Sequence, residues 1–133
     1  MAIDHVSVGV SDMKKARAFY GAILSPLGMA EVMPVEIAGR LVAIGYGEAG
    51  GKPEFWIQFP INRRPASMGN GVHIAFVAAT RAAVDSFYLG ALNSGGADEG
   101  GPGLRTEYHP DYYAAFVRDA DGNKIEAVCY APG

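Results

Sequence analysis

Four residues have the types and the spacing to hold a divalent metal: His5, Gln58, His73 and Glu126. Each His precedes its Gln or Glu partner by 53 residues, and the two pairs are offset by 68. Glu126 lies in Lys124-Ile125-Glu126-Ala127-Val128, a carboxylate flanked by apolar residues, where an unpaired buried charge is costly. Gln58, in Trp56-Ile57-Gln58-Phe59, is its counterpart 68 residues earlier. Two imidazoles, a carboxylate and an amide oxygen suit a borderline ion such as Zn, Ni, Fe, Co or Mn. Two His and one carboxylate with open positions is also the pattern of non-haem Fe(II) sites. Alternatives stay open at this point. A single His at the start of a strand is ordinarily a surface or core residue, although these are two of only three in the chain. Glu126 could pair with Arg105 or Arg118 instead. A two-residue shift, which keeps strand parity, would put Trp56 where Gln58 is expected and leave three donors.

Around this set lie further candidates. His109 sits in Glu107-Tyr108-His109-Pro110-Asp111-Tyr112-Tyr113. It reads either as part of an exposed proline turn or as an acid/base at a cavity mouth, because an imidazole titrates near neutrality. Tyr112 and Tyr113 offer stacking surface or phenol donors. Arg105 offers a partner for an anionic substrate group, or is simply a surface charge. Trp56 and Phe55 occupy opposite faces of one strand, so one of them lines a pocket. Two other motifs are bland. Gly45 to Gly50 matches G-x-G-x-x-G, but a β-rich run follows instead of a helix, so it reads as a turn. Asp119-Ala120-Asp121-Gly122 reads as a hairpin turn, since its Gly comes too early for a calcium loop.

The elements that must position these residues repeat along the chain. Ala16, Phe19, Tyr20, Ile23 and Leu24 recur as Val84, Phe87, Tyr88, Ala91 and Leu92, again 68 residues on. Spacings of three and four mark one apolar face of a helix. Ser11-Asp12 and Thr80 supply N-caps, Pro26 and Gly28 end the first helix, and Gly95-Gly96 end the second. A strand-like run precedes each helix, at 5–10 and 72–77. Three follow each helix, near 31–37, 40–46 and 54–59, and near 104–108, 112–118 and 123–130. The order is βαβββ, twice. The reading is an α+β fold in which module one (1–61), a linker (62–71) and module two (72–133) make one domain. A single curved mixed sheet is expected, with the helices outside and the inner face lining a cavity.

Composition narrows the function classes. The chain has 133 residues, 50% of them hydrophobic, and a net charge of −3. That balance supports a packed core and argues against a nucleic-acid partner. No apolar run reaches the roughly 20 residues of a membrane span, and the N-terminus lacks the pattern of a secretory signal. Cys129 is alone, so no intrachain disulfide is expected. A cytoplasmic protein is the expectation.

Asp4-His5-Val6, Ala18-Phe19-Tyr20, Gly71-Val72-His73-Ile74-Ala75-Phe76 and Asp119-Ala120-Asp121-Gly122-Asn123-Lys124-Ile125-Glu126 together resemble the vicinal oxygen chelate superfamily (glyoxalase/bleomycin resistance protein/dioxygenase) over nearly the whole chain. The resemblance implies His5, His73 and Glu126 as metal ligands, with Gln58 as a fourth in the glyoxalase I type. Its leading implication is a glyoxalase I-like lyase or isomerase, in which the metal holds adjacent substrate oxygens and stabilises an enediolate while Glu126 shuttles the proton. The rivals are an extradiol-dioxygenase-like Fe(II) enzyme, favoured if Gln58 does not ligate and His109 lies beside the metal, and a non-catalytic binding protein of the bleomycin-resistance type, favoured by a large aromatic groove. A homodimer is expected from the same resemblance, with 29–35 lying beneath the partner. Pro34 there argues for side-chain packing over a continued sheet.

Overall fold

The computed structural model describes residues 2–133, and Met1, the first residue of the expected first module, lies outside them. The described residues form β1 (Val6–Gly9), α1 (Met13–Leu24), β2 (Ala30–Ile37), β3 (Arg40–Gly47), β4 (Phe55–Gln58), β5 (His73–Val77), α2 (Arg81–Asn93), β6 (Ala97–Leu104), β7 (Tyr113–Arg118) and β8 (Lys124–Cys129). This is βαβββ twice. The caps are those expected: Asp12 accepts from the Lys15 N–H, and the Thr80 hydroxyl accepts from the Ala83 N–H. Each satisfies one of the helix's orphan donors. After α1 a short 3-10 turn, Ser25–Leu27, runs into Gly28 at φ 80°, a left-handed stop.

The sheets depart from the expectation of one continuous curve. The strands make two separate four-stranded sheets, ordered β1-β4-β3-β2 and β5-β8-β7-β6. In each, the first strand runs parallel to the last, and the other pairings are antiparallel. One face of each sheet packs on the helices in a shared core that includes Phe19, Tyr20, Ile44, Phe55, Ile57, Val84, Phe87, Val117 and Ile125. The other faces carry the candidate site residues.

The edge strands explain one misplaced element. Apolar content puts the third-from-last strand at 104–108, but β6 is Ala97–Leu104, with the sequence Ala-Asp-Glu-Gly-Gly-Pro-Gly-Leu. Three glycines and a proline hide it from any β-propensity argument. It is an edge strand with register shifts near Gly100, where poor β-formers are tolerated. Pro34 sits in the other such edge, β2, which also carries two register shifts.

Three residues lock the modules together, all from the turn between β7 and β8. Asp119 Oδ2 accepts from the Tyr20 hydroxyl at 2.6 Å. Asp121 accepts from the Ser11 hydroxyl and from its N–H. Asn123 Nδ2 donates to the Gly9 carbonyl at 2.9 Å. The segment expected to be a hairpin turn is therefore also the latch between the modules.

Candidate functional site

The outward face of the second sheet is the richer one. His73 begins β5, Phe116 is on β7, and Lys124 and Glu126 are on β8. With Glu99, Gly100, Arg105, Tyr108, His109, Tyr112 and Tyr130 they line a cavity of about 830 Å³. Glu126 forms its buried floor at 1% exposure. That burial is tolerated because both carboxylate oxygens have partners. The Tyr112 hydroxyl donates to Oε2, and His73 Nε2 lies 3.0 Å from Oε1. Neither Arg105 nor Arg118, the alternative partners, is used: Arg118 pairs with Glu99 at 3.0 Å. Burial, and next the hydrogen bond to Glu126, push the Tyr112 phenol far above its ordinary range, so it stays a donor. His109 Nδ1 accepts from the Asp111 N–H at 3.0 Å, which leaves the ring proton of the neutral imidazole on Nε2.

The first sheet carries a smaller cavity of about 460 Å³, lined by Asp4, His5, Ser7, Val35, Ala43, Lys52, Pro53, Trp56 and Gln58. The His5 ring is held by Asp4, with Nδ1 2.7 Å from Oδ1, and Lys52 reaches the same carboxylate at 2.9 Å. These two contacts hold the exposed Asp4 carboxyl below its usual range. The Trp56 ring lies across β3 at Gly45, where a Cβ would come within 2.9 Å of the indole. Only glycine leaves room for this placement.

The four candidate ligands are thus divided between the two cavities. His5 and Gln58 share one cavity, and His73 and Glu126 the other. Among the described residues no group of three or more His, Cys, Asp or Glu converges within one chain. Within one chain His5 stands on a different cavity from His73 and Glu126.

Register refines the repeat. Ser7 pairs with Trp56 and Gly9 with Gln58, whereas Ala75 pairs with Glu126. Ser7 and Ala75 are equivalent under the 68-residue offset, so Trp56, not Gln58, occupies the position equivalent to Glu126. Gln58 stands beside Gly9, about 13 Å of strand beyond His5. This is the two-residue shift left open above.

Of the expected substrate contacts, Arg105 and Tyr112 line the larger cavity and Trp56 the smaller. Tyr113 lines neither. Its hydroxyl bonds Asp85 of α2 at 2.6 Å and its ring lies beneath Arg81, on the helix side of the sheet. Its parity along β7 is opposite to that of Phe116, so it turns away from the cavity. Lys124 and Tyr130 were missed, although both share the parity of Glu126 along β8 and its extension.

The βαβββ duplication and these two open faces match a known family. The model of the Glyoxalase/Bleomycin resistance protein/Dioxygenase superfamily covers residues 2–127. The chain belongs to this superfamily. A glyoxalase/bleomycin resistance protein from Albidiferax ferrireducens T118 is 34% identical, with a TM-score of 0.81 over 99% of this chain and 100% of that one. Two more distant members share the fold. The genomically encoded fosfomycin resistance protein of Listeria monocytogenes is 17% identical, with a TM-score of 0.64 over 97% of this chain and 93% of that one. A glyoxalase I variant from Zea mays is 20% identical, with a TM-score of 0.69 over 95% of this chain and 45% of the longer maize chain. No curated protein matches. As for membranes, no helix among the described residues is long and apolar enough to cross one.

Proposed function

We propose that this superfamily member is a metal-dependent enzyme that holds a small substrate by two adjacent oxygens, using three protein donors contributed by two chains. The observation that carries the reading is the register. With Trp56 at the position equivalent to Glu126, the donors consistent with the repeat are His5, His73 and Glu126. They do not fit a metal within one chain, because His5 lies on a different cavity. A second copy supplies the missing partner. Hinge closure within the chain would break the contacts of Asp119, Asp121 and Asn123 with module one. Meanwhile β1 and β5 end their sheets, with Ile3 70%, Val72 63% and Val77 74% exposed beside them. Exposed strand edges and apolar side chains of this kind call for cover.

Two His and one carboxylate with open positions are the donor set of non-haem Fe(II) oxygenases, and a bound metal would supply Lewis-acid polarisation of the substrate oxygens. The chain's own residues supply the rest. Tyr112 orients Glu126, and His109, which lines the same cavity, would move a substrate proton. This favours extradiol-type opening of a vicinal diol, with dioxygen as co-substrate, over glyoxalase I-type isomerisation, which would draw on Gln58 as fourth donor. The aromatic wall of the larger cavity supports a second reading, a non-catalytic ligand binder.

Mixing tests the assembly. His5→Ala and Glu126→Ala proteins should each lose metal. Co-refolded at equal amounts, half of the dimers are mixed and each mixed dimer has one intact site, so metal content should recover to about one quarter of wild type for a two-fold dimer. No recovery would sink the two-chain site. Oxygen uptake with a catechol, set against isomerisation of a hemithioacetal, decides between the reactions, and turnover of neither leaves the binding reading.

A further inference from the structure

The larger cavity contains two cations, Arg105 and Lys124, that form no direct ion pair among the described residues, although the Lys124 charge reaches Glu99 at longer range. The Arg105 guanidinium donates to the Gly103 and Gly101 carbonyls at 2.7 and 2.8 Å, and its Cζ stands 5.5 Å from the centre of the Phe116 ring. The Lys124 ammonium stands 5.2 Å from the centre of the same ring. Among the described residues Lys124 makes no ion pair or side-chain hydrogen bond, and Arg105 meets only those backbone carbonyls. Both are only partly exposed. The two acids nearby are already engaged, Glu99 by Arg118 and Glu126 by Tyr112 and His73. Two like charges sharing one ring repel each other, and partial burial weakens the solvent screening that would relieve them. Both cations line the one cavity, so an anion bound there would be attracted by each, and the guanidinium fork suits a carboxylate.

The rim of the cavity has a different character. Tyr108 and Tyr112 meet edge-to-face at 5.1 Å between centroids, and Tyr112 and Tyr130 do so at 5.4 Å. Tyr108 and Tyr130 remain 66% and 50% exposed. These rings offer surface to a flat, unsaturated body.

We propose that Arg105 and Lys124 form an anion subsite and that the ligand is a small planar carboxylate, its charged group beside Phe116 and its flat body against the tyrosines. This names the substrate class of the site proposed above and rests on that reading only for the reaction. A flexible apolar anion would gain the charge contact without the stacking, and a neutral aromatic the reverse.

Calorimetric titration of the purified protein with benzoate, benzamide, cyclohexanecarboxylate and inorganic phosphate tests the subsite. Benzoate should bind about tenfold or more tighter than benzamide, the discrimination expected of one charge-assisted contact, and roughly two- to tenfold tighter than cyclohexanecarboxylate and phosphate, that expected of one ring stack. Arg105→Gln and Lys124→Met should each weaken benzoate about tenfold and leave benzamide unchanged. Arg105→Lys should recover part of the loss, which a merely structural role for Arg105 would not give. Benzamide binding as tightly as benzoate, or benzoate indifferent to both substitutions, overturns the anion subsite. Phosphate or cyclohexanecarboxylate matching benzoate overturns the planar class. Repetition on chelator-treated protein separates the two proposals. Retained benzoate binding with failed metal recovery in the mixing experiment refutes the donor set alone, and the converse refutes the subsite alone.

Discussion

Tyr20→Phe probes the latch between the modules. Tyr20 is fully buried, and its hydroxyl donates to Asp119 Oδ2 at 2.6 Å, so the substitution removes one donor from a buried carboxylate and leaves the ring packing intact. A hydrogen bond to a charged group contributes about 1.5–3 kcal/mol net. Oδ2 keeps the Asn123 Nδ2 donor at 2.9 Å, and Oδ1 keeps the N–H groups of Asp121 and Asn123, so the loss belongs in the lower half of that range. An unfolding entropy of about 2.1 cal/mol/K per residue gives roughly 0.28 kcal/mol/K for this chain. The expected drop in Tm is then about 5–8 °C at pH 7 by calorimetry. The pH dependence carries a sign. Burial, and next the Asp119 charge, hold the Tyr20 phenol well above its ordinary value. The unfolded chain releases this proton near pH 10 while the native state keeps it. The wild-type advantage is therefore complete below pH 10 and is lost as pH rises through the native value. The phenyl ring of the variant has no proton to lose, so the gap in Tm between the two proteins should narrow above pH 10. A Tm within 1 °C of wild type at pH 7, or a gap that widens in alkali, would refute this account of the latch.

Two further substitutions test other parts of the structure. Gln58→Ala should leave metal content within about 20% of wild type by elemental analysis, the outcome for a residue outside a three-donor set; loss matching that of His5→Ala would restore Gln58 as a ligand. Phe87→Ala, at a fully buried position of α2, should cost about 3–5 kcal/mol in urea unfolding, and a cost below about 1 kcal/mol would show that Phe87 is not packed in the shared core.

The helices were legible because their signals are local. Phe19, Tyr20 and Ile23 fix a face by spacing, and Asp12 and Thr80 fix the starts by chemistry. The strands were legible only as far as their side chains alternate. Nothing in Ala97–Leu104 alternates, and β6 was lost. Tyr112 and Tyr113 are adjacent, so one of them had to face away, but which one depends on where β7 begins. Gln58 and Trp56 share a parity, and the 68-residue offset counts residues without counting the unequal turns between strands. Register, which comes from backbone pairing, was needed to choose between them. His73 and Glu126 were found together because their separation, two rows on neighbouring strands, is set within one module. The distance of His5 from them depends on how modules pack, which no periodicity encodes.

The latch also records how the two halves have diverged. Under the 70-residue offset that the register gives the last strand of each half, Asp119, Asp121 and Asn123 correspond to Ala49, Gly51 and Pro53, none of which carries a side chain able to accept or donate a hydrogen bond. Their partners have diverged as well. Tyr88, the counterpart of Tyr20, spends its hydroxyl on Asp98 within its own module, and the counterpart of Ser11 is Ala79. The clasp is therefore one-sided, a hook on the second half and an eye on the first. Two identical modules would carry both hook and eye and could polymerise or pair in several ways. Once each half keeps only one part, halves of the same kind cannot clasp each other, and the joined chain has a single way to close. The segment from 62 to 71 is then a tether more than a support, and fragments separated there should still recognise each other in one orientation.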